Sequence, residues 1–182
     1  MEEWTKMEVP PPEPKPVTVD PKVTALLIMD IQKQNCTPER RPRCVASLPK
    51  IQRLLGQARA KGVFVVYSVS REGKVEDIRA EVAPLGGEPV VRSGPDKFFG
   101  TDLETILKDR AITTVITVGT AANGAVLYTT SGAAFRGLKV IVPLDGMSAD
   151  DLFIEGYTAW HLANAPMVGR QVTISRSDLI QF

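Results

Sequence analysis

From Val23 onward, short apolar runs alternate with stretches of helical periodicity, and this alternation constrains the fold more than any other feature of the chain. Thr24 to Met29 and Val63 to Val69 are continuous apolar runs. A strand apolar at every position is buried on both faces, as in a parallel sheet between layers of helices. Residues 46–61 place Ile51, Leu54, Leu55 and Ala58 at i, i+3, i+4 and i+7, and Gly62 closes that helix. Further strands are predicted at Pro89 to Arg92, Thr114 to Val118, Lys139 to Val142 and Gln171 to Ile174. Helices are predicted from a Thr101 cap to Asp109, from Asn123 to about Phe135, and from about Ala149 to Ala163. Residues 75–87 read as irregular with a helical turn or two, and Ser177 to Gln181 as a short end. The fold class is therefore α/β: a single doubly wound, Rossmann-like parallel sheet flanked by helices. Ligands in such sheets bind beyond the carboxyl ends of the strands, where the strand order reverses.

At 182 residues the chain holds one ordinary domain, assigned to residues 23–182. Residues 1–22 form an arm with prolines at 10, 11, 12, 14, 16 and 21. Proline excludes a helix there and removes most of the donors that a sheet ladder needs. Trp4 and Met7 are out of place in a free arm, which favours its lying across the body or across a neighbouring subunit. A net charge of +1 gives no case for nucleic acid or an anionic membrane surface, and Arg40, Arg41 and Arg43 read as solvated loop charge. No apolar run reaches the ~18–20 residues that span a bilayer, and the acidic start is unlike a signal peptide. Cys36 and Cys44 do not make a disulfide framework, so the expectation is a cytoplasmic protein with reduced thiols, Cys36 being a plain loop thiol.

Chemistry is expected at two strand ends. Asp30 follows five apolar residues, which puts its carboxylate at the rim of the sheet, where partial burial suits it to proton transfer. The segment Val118-Gly119-Thr120-Ala121-Ala122-Asn123-Gly124-Ala125-Val126 leaves a strand and opens a helix. At such a corner the first helix N–H groups, here those of Gly124 and Ala125, are expected to cradle an oxyanion or a carboxylate. No cofactor or metal is expected. His161 is the single histidine and reads as a packing residue, since one histidine without a strong carboxylate set makes no zinc site. No Gly-x-Ser-x-Gly elbow is present for a serine nucleophile.

The corner resembles the signature of the isochorismatase-like cysteine hydrolases, roughly Gly-x-x-Thr-Asn/Asp-x-Cys-Val. Gly119, Asn123 and Val126 match, and Ala125 stands at the position of the nucleophilic cysteine. Asp30-Ile31-Gln32 is similar to that family's Asp-x-Gln, whose Asp transfers protons. Phe98-Phe99-Gly100-Thr101-Asp102-Leu103 is similar to its Phe-x-Gly-Thr-Asp-Leu, and Arg136 to Val140 with Asp145-Gly146 to a scaffold segment. The family's catalytic Lys lies six residues before the first Phe, a count that lands on Arg92; Lys97 is the nearby alternative. The exchange matters because a lysine can shuttle a proton, whereas an arginine stays protonated.

The resemblance implies sheet order 3-2-1-4-5-6, a homo-oligomer, and a cis peptide whose counterpart is Thr120–Ala121. It also implies a hydrolase for a small carboxylate-bearing or amide metabolite. Asp30, Arg92, Lys97 and the Ala125 position would form the catalytic group. Gln32, Phe98, Thr120, Ala121, Asn123 and Gly124 would line the substrate. With alanine for cysteine, the expected mechanism is that of true isochorismatases, where an Asp protonates a vinyl ether and water adds. The alternative is an inactive relative that binds a small ligand or serves as a structural subunit.

Overall fold

Each apolar run of the sequence is a strand in the computed structural model, which describes residues 10–182; Trp4 and Met7 lie outside the described residues. In chain order the elements are β1 (Val17–Thr18), β2 (Thr24–Met29), α1 (Pro42–Ala60), β3 (Phe64–Val69), β4 (Val90–Arg92), α2 (Leu103–Asp109) and β5 (Thr114–Thr120). They continue with α3 (Leu127–Phe135), β6 (Lys139–Pro143), β7 (Met147–Ser148), α4 (Leu152–Asn164), β8 (Val172–Ser175) and β9 (Ile180–Gln181). The main sheet runs β4-β3-β2-β5-β6-β8, with β7 pairing the end of β5, and every one of these pairings is parallel. Counted over the strands expected from sequence, this is the order 3-2-1-4-5-6. The order reverses between β2 and β5, so the ends of those two strands define the crevice.

Alternation along the strands divides the core into two layers. Ala25, Leu27 and Met29 of β2 pack with Leu103 and Leu107 of α2, Ala133 of α3 and Leu162 of α4. Leu26 and Ile28 point the other way, onto Leu48, Ile51, Leu54 and Leu55 of α1.

Several local expectations change. Helix α1 begins at Pro42 rather than at residue 46, because a proline in the first turn has its φ preset and lacks only an N–H that would be unpaired there anyway. Helix α2 begins at Leu103, whose N–H bonds the Thr101 hydroxyl at 3.2 Å. Helix α4 begins at Leu152, capped by Asp151, whose carboxylate accepts from the Ile154 N–H at 3.0 Å. The described part of the proline-rich arm lies against the body. The Lys15 N–H donates to the Ile174 carbonyl at 2.9 Å, and Val17–Thr18 pairs with Ile180–Gln181.

The cysteines correct the reading of free, reduced thiols. Cys36 and Cys44 form a disulfide across eight residues, with Cα atoms 5.3 Å apart and both residues buried. Sequence spacing cannot foresee this pairing, because the irregular chain between β2 and α1 folds Cys36 back onto the first turn of the helix. Among the described residues no helix is long and apolar enough to cross a membrane.

Candidate active site

Asp30 ends β2 in the left-handed region, at φ +53°, a conformation Asp adopts more readily than most residues. The turn closes when the Gln32 N–H donates to the Asp30 carbonyl at 2.9 Å. Asp30 Oδ1 accepts from the Ser68 hydroxyl of β3 at 2.9 Å, and Oδ2 accepts from Lys97 Nζ at 2.7 Å. Lys97 is 1% exposed. Its ammonium also donates to the Gly94 carbonyl at 2.8 Å and reaches the Ser93 carbonyl at 3.5 Å, so its three protons all meet oxygens.

The loop bearing Lys97 is pinned to α3. The Lys97 N–H donates to Thr129 Oγ1 at 3.1 Å, and that hydroxyl donates to the Pro95 carbonyl at 3.2 Å. The structure thus resolves the choice of cation near Asp30: Lys97 meets the carboxylate. Arg92 does not. It is exposed on the edge strand β4, which removes it from the candidate group.

The other switch-point strand, β5, lies in register with β2, with Met29 opposite Gly119. Gly119 sits at φ +141°, and a Cβ there would come within 2.1 Å of the Met29 carbonyl oxygen, so only glycine allows the two strand ends to meet. The Thr120–Ala121 peptide is cis. A single π-helical turn, Ala122–Val126, then leads into α3, in place of an α-helix from Asn123. Its geometry alters the expected cradle, because the Gly124 N–H is donated to the Ala121 carbonyl at 3.0 Å. Ala125 is buried and presents only a methyl group.

Three of the residues expected to line a substrate are enclosed instead. Gln32 is buried, with Oε1 accepting from the Ser70 N–H at 2.9 Å, and it braces the chain after β3. Phe98 is core, its ring 4.3 Å from the Arg136 guanidinium carbon. Thr120 is buried; its hydroxyl accepts from Arg41 Nη1 at 2.9 Å and donates to the Ser148 carbonyl at 3.1 Å. Ala121 and Gly124 are half-buried and Asn123 is exposed.

Of the arginine cluster, Arg40 and Arg43 are exposed as expected, and Arg41 is not. Arg41 is buried and pairs with Asp150 at 2.8 Å, while Arg43 donates to both carboxylate oxygens of Glu155, from Nε at 2.7 Å and from Nη2 at 2.5 Å. Arg43 is held above the ordinary arginine range, first by its hydrogen bond to Glu155. His161 lies on α4 with its ring centroid 5.8 Å from that of Tyr157. Among the described residues, no group of three or more His, Cys, Asp or Glu side chains is placed to hold a metal ion.

Sequence reasoning missed Ser68, Thr129 and Arg41. Ser68 left a trace, as a lone hydroxyl inside the apolar run of β3. Thr129 and Arg41 left none, since only the fold brings them to the loop and the corner.

The chain is a doubly wound α/β domain with a buried Asp–Lys pair at the switch point of its sheet. Residues 24–173 match the isochorismatase domain, and the chain belongs to that family. It is 28% identical to N-carbamoylsarcosine amidase of an Arthrobacter species over 143 residues, 63% of this chain and 53% of that enzyme. The chain thus spans about half the length of that relative. It is 29% identical to the secreted isochorismatase effector Isc1 of Verticillium dahliae over 149 residues, 75% of this chain and 78% of Isc1. Among solved structures, an isochorismatase family protein from Desulfovibrio vulgaris shares the fold at TM-score 0.76 and 21% identity, over 86% of this chain and 95% of that one.

Proposed function

We propose that this chain is a hydrolase for a small carboxylate-bearing or amide metabolite, working without a cysteine nucleophile and using Asp30 as general acid and base. The observation that carries the reading is the buried contact of Lys97 Nζ with Asp30 Oδ2 at 2.7 Å. A buried ion pair adds little stability against its desolvation, so a pair kept at a sheet's switch point is better accounted for by chemistry. Lys97 can pass a proton to Asp30, which an arginine in its place could not. Asp30 then protonates the substrate, water adds, and the proton released by that water returns to Asp30, with no covalent intermediate. Independence from cysteine is supported by the sulfur inventory: the chain has two cysteines, and both are in the disulfide. Likeness to N-carbamoylsarcosine amidase favours the amide side of the substrate class.

The test is turnover of isochorismate and a panel of small amides after treatment with iodoacetamide. Activity should survive alkylation, and intact mass should show no acyl adduct during turnover. A sensitive thiol or an acylated protein would contradict the mechanism.

A second reading, an inactive relative that binds a small ligand or acts as a structural subunit, is favoured by one observation. Both Asp30 oxygens are already occupied, by Ser68 and Lys97. As part of either reading we place the chain in a homo-oligomer, for which exposed Phe153, Tyr157 and Trp160 on α4 offer an apolar face. The disulfide supports an oxidising setting rather than a reduced cytoplasm.

A further inference from the structure

A cleft of about 320 Å³ opens beside the loop that carries Lys97, lined by Arg71, Gly94, Pro95, Asp96, Phe99 and Tyr128. Two of its walls are aromatic rings that the fold leaves in solvent: Phe99 is 72% exposed and Tyr128 53%. Aromatic rings turned toward one cavity, rather than into a core, supply flat contact area for a ligand. The neighbouring Phe98 is the ring the core takes, so Phe99 has no packing role of that kind.

Arg71 supplies the charge. Its guanidinium lies over Gly94, where a Cβ would come within 3.4 Å of both Nε and Nη2. Arg71 enters no ion pair among the described residues, as is true of Arg40, Arg53, Arg92, Arg110 and Arg170, and of these it alone lines the cleft. Asp96, the one carboxylate of the cleft, accepts from the Phe98 N–H at 2.9 Å through Oδ1, and the same oxygen faces Gly132 of α3. The loop therefore has two working faces. Gly94 meets the Arg71 guanidinium on one side, and its carbonyl accepts from Lys97 Nζ on the other.

We propose that this cleft binds planar aromatic carboxylates, with the ring between Phe99 and Tyr128 and the carboxylate on the Arg71 fork. A single free guanidinium matches a carboxylate in geometry and in charge. A doubly charged phosphate would lack a second cation and would face Asp96. Neither Asp30 nor Lys97 lines the cleft, so the proposal stands apart from the hydrolase reading.

The experiment is titration of the full chain with benzoate, followed by calorimetry or by chemical shifts, with no turnover required. Benzoate should bind saturably, and more tightly than benzamide or cyclohexanecarboxylate. Arg71→Gln and Tyr128→Ala should each weaken it, Arg71→Gln by roughly tenfold or more, and Arg71→Lys should fall between. Arg71 and Tyr128 are exposed, so circular dichroism of the variants should match that of the parent. Absence of saturable benzoate binding, or equal affinity in Arg71→Gln, would overturn the proposal. Failure of the hydrolase reading shows instead as absent turnover with benzoate binding intact.

Discussion

Lys97 Nζ stands 2.7 Å from Asp30 Oδ2 in a pair whose lysine side chain is 1% exposed and whose carboxylate is 11% exposed. Removing one partner of such a pair leaves the other charge buried and uncompensated. Lys97→Met should therefore cost about 3–5 kcal/mol in denaturant unfolding. The double variant Asp30→Asn with Lys97→Met should recover much of that loss. Equal losses in the single and double variants would show that the two groups are not coupled.

The disulfide makes a separate prediction. Closing a loop of eight residues restricts the unfolded chain, and replacing Cys36 and Cys44 with alanine should lower stability by about 2–3 kcal/mol. Because both residues are buried, mild reductant should leave the native protein without titratable thiols, and denaturant plus reductant should release two. Thiols counted by a chromogenic disulfide reagent before and after unfolding check this directly.

Gly119 lies opposite Met29, with no room for a side chain between the two strands. Gly119→Ala forces a methyl group toward the Met29 carbonyl at a φ of +141°. The variant should lose more than about 3 kcal/mol or fail to accumulate folded. Gly56→Ala, with open space at its Cβ, is the control, and it should be neutral or slightly stabilising.

Tyr67 sets the alkaline limit. Burial, followed by the nearby Glu88 charge, pushes its phenol up, with Arg59 opposing. A folded-state value above the unfolded one means the folded protein keeps its proton longer. Stability is then fully present below about pH 10 and declines as pH rises past it. Tyr67→Phe should flatten that decline in melts recorded between pH 9 and 12. An unchanged slope would place its origin elsewhere.

Most of the architecture is written in the apolar runs, since a strand buried on both faces holds mainly apolar residues, with a few hydroxyls such as those of Thr24, Ser68 and Thr117. The site is only partly legible, and for geometric reasons. Counting back from Phe98 reaches Arg92, but the chain leaves β4 there and turns through Ser93 and Gly94 before Lys97 comes back over Asp30. A one-residue difference likewise separates Phe98 in the core from Phe99 in the cleft. Of the two N–H groups expected to form the cradle, that of Gly124 is turned to the Ala121 carbonyl, at the start of a π-helical turn that no residue pattern announces. Gln32 matches a motif by type and Thr120 lies within one, yet their side chains hold neighbouring segments in place.

Comparing kcat/KM of the parent and Asp30→Asn over isochorismate and small amides tests whether Asp30 transfers protons without a thiol. Asparagine keeps the size of the side chain and cannot exchange the proton. The expected result is measurable turnover by the parent and a loss of roughly 100-fold or more in the variant. Equal turnover by both proteins would contradict it, and no turnover by the parent would favour the inactive reading.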